Sequence, residues 1–483
     1  MSAAAGGFSE RLVDAVGPIV VKEVRQGLRA KVFAICFGLL LFACLVVALI
    51  AAEIEGREGE TMGPKYLTLF SCGLGLVCFF VIPYTAYRSM AREREDETWV
   101  LLVLTGLSSR RIVRGKVASA LSQAVLYSSA GAPFMLFSYF LNGVDLPTLG
   151  LVVLFASCWA IFLTSLAVAL GTEGRSRIGR SLIHFLVLAL LVAATVGGMA
   201  FGVNLAEKGS RWFAESGFQI FILFYVALTM SVSLLLVEGA AAGLSLATES
   251  SVGAVRAVLL MQHVVGIAAT YLGMSLYPGA RAGTATIGSL TTSLLLVAAG
   301  FFFVSEADGF PRANRGGGSW LTAGGLRGWR LIMLMLAADT IAWAALHRLA
   351  SHGTYYGFNW DHHELAAMFA APLYVGFYLS LAVVVGRLSS LRRLGEPLAT
   401  RIAFFGAVLA AAVLSPVVAV ISGKKAANVD YNHLNPIFGL VNFLDRADKD
   451  ASQAGLMMLL IGFLLMAPTA WLVLRRLDKV RTT

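Results

Sequence analysis

The residues able to do chemistry are few and lie in unusual places. Asp339 stands in the apolar stretch 330–347, where placing a charge costs at least about 2.5–3.5 kcal/mol on insertion scales. It must therefore face protein or water, either as a protonated or hydrogen-bonded packing residue or as a group used in transport. Glu238 sits toward the end of the stretch 218–245, with Arg256 the nearest cation in sequence or water as its partner. His184 and His263 lie in two further apolar stretches and read as hydrogen-bonded core histidines. His352, Asp361, His362, His363, Glu364 and His433 are metal-ligating types. Adjacent histidines point apart on most backbones, and a helical pair needs i, i+4 spacing, so these residues read as a solvated loop and no metal site is expected. No pattern of nucleophile, base and orienting group appears.

One polar run breaks the apolar chain: Arg92-Glu93-Arg94-Glu95-Asp96-Glu97-Thr98-Trp99, followed by Val100 to Leu104. Thr105-Gly106 interrupts the pattern, and Ser108 is placed to cap a helix running through Arg110-Arg111-Ile112. Two short helices joined by a turn fit this spacing. A charge-balanced solvated loop is the ordinary fate of such a run, but the apolar residues beside the charges need a surface to bury against.

Composition sets the elements that must carry these groups. Hydrophobic residues make up 58% of the 483, charged residues 14%, and mean hydropathy is +0.77. A soluble core of this size needs no such excess, so the chain is expected in a membrane, where only self-satisfied helices cross about 30 Å of hydrocarbon. About twelve spans are predicted, near 33–53, 66–88, 117–141, 149–170, 181–204, 218–245, 257–276, 285–304, 330–347, 366–386, 402–421 and 455–474. The expected class is an all-α polytopic transmembrane protein.

Threading these spans with the N-terminus inside puts roughly three quarters of the 38 Lys and Arg on the cytoplasmic side. Both termini, the loop 88–116 and the stretch 305–330 are then cytoplasmic. The net charge of +10 reads as topology plus contact with anionic lipid, and no basic soluble domain exists to bind nucleic acid. Cys36, Cys44, Cys72, Cys78 and Cys158 all fall in spans, as small apolar fillers. The first span follows Lys22, Arg25, Arg29 and Lys31 with no small-residue cleavage site, and reads as an uncleaved helix.

Within residues 1–32, Val20, Val24 and Leu28 recur at i, i+4, i+8, while Lys22, Arg25 and Arg29 occupy another arc and Pro18 suits a first turn. A basic amphipathic helix in the headgroup plane is predicted. Pro83, Pro133, Pro372, Pro416 and Pro468 are expected to kink their spans. Ala194, Gly198 and Gly202 form a small-residue face suited to close packing.

The segment Gly17-Pro18-Ile19-Val20-Val21-Lys22-Glu23-Val24-Arg25-Gln26-Gly27-Leu28-Arg29 resembles the opening of ABC-2 type transporter membrane subunits. The series Glu93/Glu95, Thr98, Leu101-Leu102, Thr105, Leu107-Ser108 and Gly115-Lys116 resembles the loop after that family's second span. Gly17 replaces the family's usual Asn, and Gly106 a common Pro. The resemblance covers about residues 17–245. It implies that Lys22, Glu23, Arg25 and Arg29 belong to an interfacial helix. It also implies that Glu93, Glu95, Glu97, Thr98, Trp99, Leu101, Leu102 and Thr105 form a coupling helix seated in a groove of an ATPase.

No Gly-x-x-x-x-Gly-Lys-Ser/Thr loop is present, so ATP and Mg would be used by a separate ATPase chain. The resemblance implies two ATPase copies, a second permease subunit (the same chain or another), membrane lipids as surroundings, a bacterial inner membrane and export. The expected organisation is a six-helix core over 33–245 and an accessory half over 246–483, with the glycine-rich connector 305–330 as an internal boundary. Two alternatives stay open. A secondary transporter needs no ATPase, but the internal repeat usual in that class is missing. A membrane glycosyltransferase using a lipid-linked donor would take Glu53, Glu55 and Glu58 as outer acids, but leaves the loop 88–116 without purpose.

Overall fold

The computed structural model describes residues 18–55, 63–96, 108–172, 177–213, 215–244, 252–276, 281–306, 324–352, 362–388, 396–423, 432–436, 439–440, 443 and 449–482. These residues form an all-α polytopic membrane protein, with eleven helices long and apolar enough to span a bilayer. They divide into two compact units, Met1–Ser251 and Val252–Thr483. The stretch 305–330 falls within the second unit.

In the first unit, α1 (Pro18–Leu28) precedes α2 (Lys31–Glu55) and α3 (Gly63–Glu95). Then come α4 (Ser109–Phe140), α5 (Leu146–Gly171), α6 (Arg177–Lys208) and α7 (Ser216–Leu244). The stretch read as the third span, 117–141, belongs to α4, a helix of 32 residues that is not apolar enough to count among the eleven. Ser119, Ser122, Gln123, Ser128 and Ser129 dilute its hydropathy. Five helices, α1, α2, α3, α5 and α7, pack against it, and Ser119, Ser122 and Gln123 are buried or half-buried among them, while Ser128 and Ser129 stay exposed.

α1 keeps the predicted division of faces: Lys22, Arg25 and Arg29 are exposed, while Glu23, Val24, Gly27 and Leu28 are half-buried. The covered face lies against α4. α3 runs as a π-helix over Leu76–Val81, immediately before Pro83. Proline has no N–H and its ring crowds the carbonyl one turn back; the widened turn accommodates both. α4 ends in a turn with Asn142 at φ 62° and Gly143 at φ 85°, and Asp145 then caps α5 by accepting from the Thr148 amide at 3.0 Å. Gly171 lets α5 cross α3 closely, since a Cβ there would lie 2.9 Å from the Met90 Cβ.

The second unit contains α8 (Val252–Leu276), α9 (Arg281–Ser305), α10 (Gly325–His352), α11 (His362–Leu388), α12 (Glu396–Ile421) and α13 (Lys449–Thr482). α11 is its centre, 67% buried along its span and packed by α9, α10, α12 and α13. α12 is only 6% buried, so its apolar surface is left for lipid or a partner. Pro372, Pro416 and Pro468 lie within continuous helices, as Pro133 does in the first unit.

Candidate functional site

Two ion clusters tie four helices of the first unit together where α3 ends and α4 begins. Lys116 of α4 is buried, with 3% of its side chain exposed. Its Nζ lies 2.7 Å from Glu93 and 3.5 Å from Glu23, and donates to Ser89 Oγ at 2.8 Å. An ammonium has three protons, and here three acceptors from α1 and α3 surround it. The side chains of Glu23 and Glu93 keep 15% and 22% of their surface exposed, although Glu93 Oε2 itself is buried, so the cluster is only partly desolvated.

Glu238 of α7 forms the second cluster. Arg114 donates to one carboxylate oxygen at 2.6 Å, and Arg110 Nε lies 2.9 Å from the other without hydrogen-bond alignment. The carboxylate is 4% exposed, and the arginines carry its charge to the surface at 60% and 44% exposure. Arg110 and Arg114 stand one turn apart on α4, so both reach one acceptor. The partners expected from sequence were Arg256 or water. They are instead Arg110 and Arg114, because helix packing brings α7 onto α4, while Arg256 of the second unit pairs with Glu306 at 2.7 Å.

Of the residues assigned to ATPase coupling, Glu93 is held by Lys116. Glu95 is exposed and lines a polar hollow with Tyr87, Arg88, Arg92, Arg180 and His184. His184 is half-buried there, its Nε2 3.5 Å from the Tyr84 hydroxyl and its ring 5.9 Å from Tyr84 and 5.8 Å from Tyr87, so it is hydrogen-bonded as expected but at the edge of the core. Glu97, Thr98, Trp99, Leu101, Leu102 and Thr105 lie outside the described residues. Ser108 takes the N-cap position of α4 with extended backbone, but its side chain makes no capping hydrogen bond. The segment 97–107 is thus flanked by an ion pair between its two neighbouring helices: Glu93, near the end of α3, pairs with Lys116, about two turns into α4.

No family model, curated protein or solved structure matches this chain. The site therefore stands on its own geometry.

Two further features lie within the helices. In the first unit an apolar cavity of about 740 Å³ is lined by Phe79, Phe155, Trp159, Phe201 and Tyr225 together with Gly197, Gly198 and Gly202. Gly198 meets Trp159, whose indole donates to Ala194 O at 3.1 Å, so Ala194 and Gly198 pack within their own unit, while nothing lies within 4 Å of a Cβ at Gly202. In the second unit Asp339 is fully buried, with Oδ1 2.7 Å from His263 Nε2. Among the described residues no group of three or more His, Cys, Asp or Glu is placed to hold a metal. His433 is buried instead, its carbonyl accepting from Tyr374.

Proposed function

We propose that this chain is the membrane subunit of an ABC-2 type transporter, forming a path through the bacterial inner membrane and driven by a separate cytoplasmic ATPase. The observation that carries the reading is the convergence of two ion clusters on the boundaries of the segment 97–107. Glu93–Lys116–Glu23 and Arg110/Arg114–Glu238 link α1, α3, α4 and α7 at one end. A force applied to that segment reaches α3 and α4 and passes through these clusters to four helices together.

On this reading both termini are cytoplasmic and Lys22, Arg25 and Arg29 rest on anionic headgroups. Trp99, Leu101 and Leu102 are the buried anchors in the ATPase groove, with Glu95 and Glu97 at its rim. Glu93 and Glu23 act inside the permease by fixing Lys116. The chain hydrolyses no ATP; ATP and Mg bind the ATPase. A second permease subunit completes the path, and transport runs outward.

Trp99→Ala tests the docking. Truncating a central aromatic anchor costs about 2 kcal/mol, roughly a 30-fold loss of affinity. The variant is expected to reach the membrane but recover less ATPase in a pull-down from detergent extract, or to uncouple ATP turnover from transport. The reading fails if recovery and coupling are unchanged, or if the purified chain transports with no nucleotide-binding partner.

A further inference from the structure

His263 lies near the middle of α8 and Asp339 near the middle of α10, 2.7 Å apart and with 5% and 0% of their side chains exposed. The contact lacks hydrogen-bond alignment, and Asp339 Oδ2 and His263 Nδ1 have no hydrogen-bond partner. Two neighbouring groups share that condition. Trp343 Nε1, one turn along α10 from Asp339, is buried without a partner, and so is Ser293 Oγ of α9. Ser293 follows Thr292, which approaches Gly266, one turn from His263. Folded proteins leave few buried polar atoms unsatisfied, and here several gather along the seam of α8, α9 and α10.

No other charge reaches this level among the described residues. α9 carries no ionisable side chain between Arg281 and Ser305, and α13 none between Ala454 and Leu474. α11 offers Tyr374 and Tyr378, both donating to backbone carbonyls. On α8, Arg256 is nearly two turns from His263 and holds Glu306. On α10, Arg330 and His347 are each more than two turns from Asp339. The pair must therefore balance its own charge. A lone carboxylate or a lone imidazolium in this setting costs several kcal/mol, whereas the two groups sharing one proton are neutral overall.

We propose that Asp339 and His263 form a proton-binding site inside the membrane-spanning part of the second unit. The pair takes one proton from water when the α8–α9–α10 seam opens, and holds it while the seam is closed. Only O–H and N–H bonds form and break, and the proton returns to water on reopening. Such a site gives the second unit a way to couple its motion to a proton gradient, whether or not an ATPase drives the first.

Dicyclohexylcarbodiimide, an apolar reagent that modifies protonated carboxyl groups in apolar surroundings, tests this on the full chain in membranes. Modification of Asp339 would be read by peptide mass spectrometry across a pH series. Labelling is expected to rise as pH falls in the native protein and to vanish from that peptide in Asp339→Asn. His263→Gln removes the group that shares the proton with Asp339, so the dependence of labelling on pH should change from the native profile. Three results overturn the proposal: no labelling of native Asp339 at any pH, labelling independent of pH, or an unchanged profile in folded His263→Gln. The native profile decides by itself if that variant does not fold, and the assay needs neither nucleotide nor ATPase.

Discussion

Lys116 in the first unit and Asp339 in the second are both withdrawn from solvent, but they are neutralised differently. Lys116 is surrounded by two carboxylates and a hydroxyl from two other helices, and the side chains of Glu23 and Glu93 are partly exposed. Asp339 meets one imidazole, and both are sealed in. Several partners at the edge of a bundle fix a permanent charge and make a mechanical tie. A single titratable partner in the interior leaves the charge dependent on one proton, which makes the site convertible. Similar ionic chemistry thus serves rigidity in one unit and adjustment in the other.

The strongest way to break this contrast is to remove one member of the sealed pair. His263→Leu leaves a buried carboxylate without its partner and should cost about 3–5 kcal/mol, read as loss of thermal stability in detergent. His263→Leu with Asp339→Leu should recover most of that loss, because no charge remains to desolvate. If the single change is silent, the pair is not closed from water.

Lys116→Met is expected to cost less, about 2 kcal/mol, since Glu23 and Glu93 can turn to solvent once the ammonium is gone. The sharper readout is local. Hydrogen exchange at the end of α3 and along α1 should rise, while α5 and the second unit stay protected. Uniform loosening would mean that the cluster is not a tie between those helices.

A change without charge sets the baseline. Gly198→Ala places a Cβ 2.7 Å from Trp159 Nε1 and should cost about 1–2 kcal/mol through overpacking. Gly202→Ala, with nothing within 4 Å of the new atom, should stay within about 0.5 kcal/mol in the same unfolding assay.

Much of the fold was legible because a membrane admits few choices. Long apolar runs became helices, and the basic arc of α1 emerged exposed. Helix ends extended past the apolar runs, since backbone bonding continues into polar flanks: the stretch 66–88 became Gly63–Glu95. Pairings were less visible. Asp339 and His263 each stood out as an ionisable group in an apolar stretch, but no periodicity says that α8 and α10 meet. Glu238 was matched to Arg256 or water, whereas its partners lie on α4, 124 residues away in the case of Arg114. The one-turn spacing of Arg110 and Arg114 was a readable sign of a shared acceptor. Lys116 drew notice only beside Gly115; Ser119 one turn further on suggests a polar face, but nothing in sequence names Glu23 or Glu93.

The dilute hydropathy of α4 has a consequence for how the protein is made. A segment carrying Gln123 and several serines has a weak claim to leave the translocon for lipid alone, yet five helices of the finished unit pack around it. The tight turn at Asn142 and Gly143 joins it directly to the strongly apolar α5. α4 is therefore expected to integrate late, as a hairpin with α5, and chains ending at Phe140 should leave it uninserted in glycosylation-tag mapping while chains reaching Gly171 secure it. The order of synthesis, as much as the final packing, places the helix that carries Lys116, Arg110 and Arg114.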